Sequence, residues 1–431
     1  MKKNELSIQL IRSSIWLYVI WLLLPAVQTT GRAITGAVCV GLFGMGVVLD
    51  TDNLKKHWLG LLGRAACAAV MPLLMRRFMD RGGTNFAGFY VQQAMFWFPL
   101  VFAGHVRMLG DKRLWKGLPA VLLCAVLLTL LTTTGWLLEG MFLRGDKIYA
   151  YSRSLGFAEP GNEAYLKELM LKNIGGYDFI YAMVAALPLS CIAIQNSRGR
   201  KRTAFIALIG LQTVTIVLSQ YTYAMLYAAA ILAVEIMAML VRRFSKGRVS
   251  LGRSLLCGVI PLLLVLFFIQ PLIQLAAHVS AQLGFVNFAF SFEQLGLALQ
   301  GSATDANSRL SHYMTAVAGI RQSPLWGTLT GGEMQISYHS DLLDLLSGTG
   351  LTGAAIACGM IWLMGRGSLR GLKTHPQAPQ LILMFAIVGV IALLGTVVYS
   401  RDIPAIVMLG ALCVLETSPA GMHNAAPNVK Q

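Results

Sequence analysis

The stretch GLPAVLLCAVLLTLLTTTGWL, residues 117–137, contains no charged side chain and is long enough to cross a bilayer as a helix, which takes about 20 residues. The rest of the chain repeats this pattern. Candidate spans run at about 10–28, 33–50, 58–75, 86–105, 117–137, 174–195, 203–219, 222–241, 254–276, 343–364, 379–399 and 403–416. The sequence therefore predicts an all-α, polytopic membrane protein with about 12 transmembrane helices and a large outer loop before helix 10. Residues 1–417 form a single transmembrane domain in this reading, and the polar stretch 418–431 is a cytoplasmic tail.

Composition supports this class. The 431 residues are 56% hydrophobic and only 13% charged, where soluble proteins carry about a quarter charged residues. Mean hydropathy is +0.64. The net charge of +16 does not point to nucleic acid, because the basic residues cluster in short links between apolar runs. Met1-Lys2-Lys3 followed by the apolar run from Ile15 to Val27 has the outline of a signal peptide. With further spans after it, the run reads as an uncleaved first helix. The seven cysteines, Cys39, Cys67, Cys124, Cys191, Cys257, Cys358 and Cys413, fall in separate apolar segments without paired spacing. They read as small buried hydrophobes, not as disulfides or metal ligands.

Placing both termini in the cytoplasm puts 22 Lys and Arg residues inside and 12 outside, the bias that the positive-inside rule requires. Arg76, Arg77 and Arg81 oppose it. Either their loop meets something anionic, or the third and fourth spans are misplaced. Two outer loops are long, at about 138–173 and 277–342, and a connection as long as the second favours function over linkage. Within it, Phe285 to Leu299 is apolar enough to lie on the membrane surface. Leu310, Met314, Val317 and Ile320 have helical spacing, with Arg309 in that helix's first turn. Pro324-Leu325-Trp326-Gly327 and Gly331-Gly332 then break the chain. Arg64 and Glu235 are ionisable residues within spans, where snorkelling makes a structural role the stronger reading.

Tyr338-His339-Ser340-Asp341 enters the tenth span. Ser340 is an N-cap candidate, and Asp341 would place a carboxylate in the first helical turn. His339 would then lie just outside the helix, as a neutral imidazole able to accept a proton. The alternative is an interfacial histidine with no chemical task. Gly348-Thr349-Gly350-Leu351-Thr352-Gly353 matches G-x-G-x-x-G formally, but the dinucleotide fingerprint needs a preceding strand. Small residues that permit close helix packing account for it better. Arginine suits phosphate through its planar fork. A histidine and arginines on an outer membrane surface fit the attack of a hydroxyl on a lipid-linked diphosphate sugar. Asp178, after Gly175-Gly176-Tyr177, would stand near the outer face beside this site.

His339-Ser340, nine residues and Gly350-Leu351-Thr352-Gly353 together resemble the H-[N/S/Q]-x9-G-x-x-G pattern of the O-antigen ligase and O-antigen polymerase superfamily. Arg309 followed by Ile320-Arg321-Gln322-Ser323-Pro324-Leu325-Trp326-Gly327 is similar to that superfamily's arginine helix and P-x-x-G turn. The resemblance implies a metal-independent glycosyltransferase without cofactor, in the bacterial plasma membrane. Its substrate would be an undecaprenyl-diphosphate-linked oligosaccharide, held amid membrane lipid, and a chain-length regulator and a flippase would be partners. His339 would be the base and Arg309 the diphosphate contact, with Arg153, Arg321, Tyr338, Asp341 and Tyr177 as substrate contacts. Ligases carry a second arginine in an S-x-S-R-like string between two middle helices. Here Ser219-Gln220-Tyr221-Thr222 has threonine in that place, which favours a repeat-unit polymerase over a ligase, with Arg153 as the candidate substitute. A flippase-type transporter and a scaffold with a degenerate site are the readings from other classes. A pair of broken helices in corresponding halves would favour the transporter, and the sequence shows none.

Overall fold

The computed structural model describes residues 3–29, 32–75, 86–143, 163–244, 269–300, 305–328, 337, 339–369, 372, 375–395 and 402–417. Among these, regular structure is helical throughout. Apart from the short turns Pro25–Gln28 and Lys112–Leu114, the helices are α1 (Lys3–Leu23), α2 (Arg32–Leu49), α3 (Thr51–Met75), α4 (Phe86–Leu109), α5 (Leu118–Phe142), α6 (Glu163–Leu171), α7 (Tyr177–Asn196), α8 (Gly199–Leu218) and α9 (Thr222–Phe244). They continue with α10 (Ile269–Gln282), α11 (Val286–Leu299), α12 (Asp305–Gln322), α13 (Asp341–Ser368), α14 (Ala378–Leu394) and α15 (Asp402–Thr417).

Helix lies at the described part of every predicted span, although residues 254–268 of the ninth fall outside the described residues. Among the described residues, five segments are long and apolar enough to cross a membrane: Asn4–Leu23, Lys112–Phe142, Tyr177–Asn196, Gly199–Leu218 and Asp341–Leu363. The chain is thus a helical protein with membrane-embedded character. The loop predicted at 277–342 is largely helical, being occupied by the end of α10 and by α11 and α12. One boundary differs. The arginine helix starts at Asp305, so Arg309 stands in its second turn. Its first residues are polar or small, so the apolar pattern from Leu310 onward does not mark them.

The described residues group into two compact units. The first draws on Met1–Thr129, Lys167–Ile174 and His312–Gln431. Here α1 and α2 pack as a hairpin, and the Ser7 hydroxyl donates to Gly46 O at 2.7 Å. Gly46 permits that approach, since a Cβ there would come within 2.6 Å of Ile11. Ile11, Ile15, Tyr18, Trp21 and Phe102 are buried nearly completely in this unit's core. Trp97 and Leu100 of α4 pack with Leu345, Ala354, Ala357 and Met360 of α13 and Met408 of α15. Arg107 pairs with Glu416 and ties α4 to α15. Arg64 lies against Gly104, where a Cβ would meet its guanidinium Nε at 2.9 Å.

The second unit draws on Leu130–Leu166 and Gly175–Ser311. Its centre is α7, buried along most of its length from Phe179 to Ile192. Buried polar pairs hold it, with the Ser190 hydroxyl donating to Gln212 Oε1 at 3.0 Å and the Gly175 N–H to Thr133 Oγ1 at 2.8 Å. Glu235 of α9 is buried here. The α10–α11 hairpin turns at Gly284, where φ is +76°, over a small core of Ile273, Phe288 and Phe292.

Candidate functional site

His339 sits where three stretches of the first unit meet: α12 from His312 onward, the entry to α13 and the end of α14. Its position follows from local bonding. The Ser340 hydroxyl accepts the Leu343 N–H at 3.1 Å, the N-cap arrangement in which a short side chain satisfies an otherwise orphaned helix donor. One residue earlier, the His339 N–H donates to Ser337 Oγ at 3.0 Å, and the Ser340 N–H donates to the same oxygen at 3.1 Å. Asp344 fixes Ser337 in turn. Its Oδ1 accepts from the Ser337 backbone N–H at 2.6 Å and from the Ser337 hydroxyl at 2.7 Å. Ser337, Ser340, Asp341 and Asp344 are all buried, so this clamp is screened little by water.

Two contacts join the other segments to it. The Asp341 N–H donates to Gly395 O at 2.9 Å, so the first donor of α13 is taken up at the end of α14. The Tyr313 hydroxyl of α12 donates to Leu394 O at 3.2 Å. From the adjoining position of α12, the His312 ring lies against that of His339, with centroids 4.6 Å apart and planes at 55°. His339 is half-buried and His312 exposed. The tertiary placement of α12 makes His312 a neighbour of the histidine at the helix mouth.

Helix α13 is broken at Gly350, whose φ of 63° and ψ of −172° lie outside the helical region. The Pro324–Gly327 turn is seated in the break. The Leu351 N–H donates to Pro324 O at 2.8 Å and the Thr352 N–H to Leu325 O at 3.1 Å. In an unbroken helix those donors would reach back to Ser347 and Gly348. The Ser347 carbonyl takes a bond from the Thr328 hydroxyl at 3.2 Å instead. Both facing glycines are necessary. A Cβ at Gly350 would come within 2.4 Å of the Leu325 carbonyl, and one at Gly327 within 2.2 Å of Gly348 O. The small residues of the Gly-x-x-Gly string therefore admit a turn of backbone, where the sequence suggested close packing of another helix.

The remaining predicted site residues are distributed as follows. Arg309 lies in α12, one turn before His312, and its side chain is outside the described residues. Tyr338 and Arg153 lie outside the described residues, as do Arg76, Arg77, Arg81 and the tail 418–431. Arg321 is exposed in the last turn of α12. Tyr177 belongs to the second unit. It opens α7 and packs against Tyr181 and Tyr221 at centroid distances of 4.7 and 4.8 Å. Burial, then the neighbouring Tyr177 and the Asp178 carboxylate, push the Tyr221 phenol above its ordinary value. Gln220 beside it holds a left-handed φ of 54° in the turn between α8 and α9.

Sequence reading missed Ser337, Asp344, Thr328 and the His312 contact. Asp344 carried one signal, being a second carboxylate in the first turn of α13. Among the described residues, no three His, Cys, Asp or Glu side chains converge as a metal-binding group. Comparison with protein-family models, with curated proteins and with solved structures finds no match.

Proposed function

We propose that this chain is a membrane glycosyltransferase. It polymerises undecaprenyl-diphosphate-linked repeat units into a surface polysaccharide at the outer face of the bacterial plasma membrane. In this reading about twelve helices span the membrane, both termini are cytoplasmic, and residues 277–342 face outward. The observation that carries the reading is the meeting of the two strings on which the family resemblance rests. The Pro324–Gly327 turn fills the break at Gly350, and His339 stands clamped at the mouth of the same helix. Arg309 precedes His312 by three residues on α12, and its role at the diphosphate is part of the proposal.

The chemistry assigns one role to each group. An acceptor sugar hydroxyl attacks the anomeric carbon of the donor sugar, forming the new glycosidic C–O bond as the bond to the diphosphate oxygen breaks. The hydroxyl proton passes to a ring nitrogen of His339, and undecaprenyl diphosphate departs with its negative charge met by Arg309. Positioned general bases contribute roughly 10²–10⁴ in rate. Preorganised donors facing developing charge contribute on the order of 10²–10³. A transporter would leave the ends of a broken helix open to bind its cargo. Here the Leu351 and Thr352 donors are occupied by the turn's carbonyls, which favours surface chemistry over alternating access.

Arg309→Lys tests the diphosphate role, because an ammonium cannot reproduce the two parallel bonds of a guanidinium. Polymer formation by this variant should fall by about 10²–10³ at normal membrane levels. Full activity would end the assignment of Arg309 to bidentate diphosphate recognition. If long polymer forms but fails to reach its final acceptor, a ligase replaces the polymerase.

A further inference from the structure

His312 has no part in the chemistry above, yet its ring lies 4.6 Å from that of His339. The clamp from Ser337 and Asp344 fixes the backbone of His339 through its N–H and leaves the two side-chain torsions to other contacts. The outer torsion of histidine has a broad energy profile, so neighbours decide where the ring points. A base acts only with its nitrogen in hydrogen-bond reach of the proton it takes. Misplacement by about 1 Å can cost ~10² in rate.

The His312 ring is well placed to set that orientation. Helix α12 is held beside α13 and α14 at two further points: Tyr313 bonded to Leu394 O, and the following turn locked into the Gly350 break. The ring is thus presented from a fixed element, and His339 is only half-buried beneath it. We propose that His312 is a positioning residue, whose ring packs on the His339 imidazole and holds it in the orientation that receives the acceptor proton. The inference rests on the glycosyltransferase reading.

The test uses membranes from a host strain deleted for this chain and complemented with wild type, H312A, H312Q, H312F or H339A. Each protein is quantified by immunoblot, and lipid-linked repeat units extracted from the deletion strain serve as donor. H312A and H312Q should lower the saturating initial rate at least about ten-fold while the half-saturating donor concentration stays within about two-fold. H312F keeps a flat ring against His339 and should run at least about three-fold faster than H312A. The proposal is overturned if H312A reaches the wild-type rate, if H312F is no faster than H312A, or if the loss appears only in half-saturation. If H339A is inactive while H312A is fully active, the positioning role alone is lost. If H339A is fully active, the assignment of His339 as the base falls and the positioning role falls with it, whereas wild-type membranes that transfer no more than those of the deletion strain would end the glycosyltransferase reading itself.

Discussion

Asp344 and Ser337 stand seven residues apart, and a single carboxylate oxygen accepts both the backbone N–H and the hydroxyl of the serine. The same serine oxygen then receives the N–H groups of His339 and Ser340. Truncation to Asp344→Ala leaves two buried donors without their acceptor, and each such loss costs about 1–3 kcal/mol. The thermal midpoint of the purified protein in detergent should fall accordingly. Asp344→Asn keeps an amide oxygen in place and should fall less. An unchanged midpoint for Asp344→Ala would remove the clamp from the account of how His339 is held. The Ser340 cap was readable from sequence because capping is decided within one helical turn. The Ser337–Asp344 bond was not, since it needs the chain to fold back before the helix begins. The His312–His339 contact was hidden for a stronger reason. Twenty-seven positions separate the two rings, and only the tertiary course of α12 brings them together.

Among the helices, the broken α13 shapes the site most directly. The turn before it supplies two carbonyls to the donors exposed by the break, and Thr328 satisfies the carbonyl left on the other side. Gly350→Ala adds a methyl group within 2.4 Å of backbone at a left-handed φ, so neither the turn nor the helix can keep its place. A destabilisation of about 1–3 kcal/mol or more follows from strain and overpacking together. Gly359 lies in the same helix with nothing within 4 Å of a built Cβ. Gly359→Ala should be neutral or stabilising by up to about 1 kcal/mol, through helix propensity. Thermal midpoints of the two variants compare these expectations, and equal effects would mean that the turn is not seated as described. The sequence showed both glycine strings and the Pro-x-x-Gly turn. It could not show that they are partners, because each accounts for its local conformation without the other.

At the scale of the whole molecule, helix positions were the most legible property, because apolar runs of bilayer length leave few alternatives for the backbone. The grouping of these helices into two units is set by side-chain contacts between distant segments, which periodicity does not encode. Orientation rests on the distribution of 35 basic residues, and this can be tested without knowing the substrate. In a background lacking the native cysteines, Ala281→Cys should react with an impermeant thiol reagent in intact cells. Lys201→Cys should react only once the cells are opened. Both residues are exposed. The reverse pattern would turn the protein over and move the His339 site to the cytoplasm.

The claim that joins these scales is that His339 takes the proton of an acceptor sugar while a lipid-linked repeat is transferred. It is tested most directly in host cells carrying His339→Ala at normal membrane levels, by measuring both surface polymer length and the pool of lipid-linked single repeats. The account predicts loss of polymer with accumulation of single repeats, from a rate reduced by about 10²–10⁴. Polymer of normal length, with no accumulation, would contradict it.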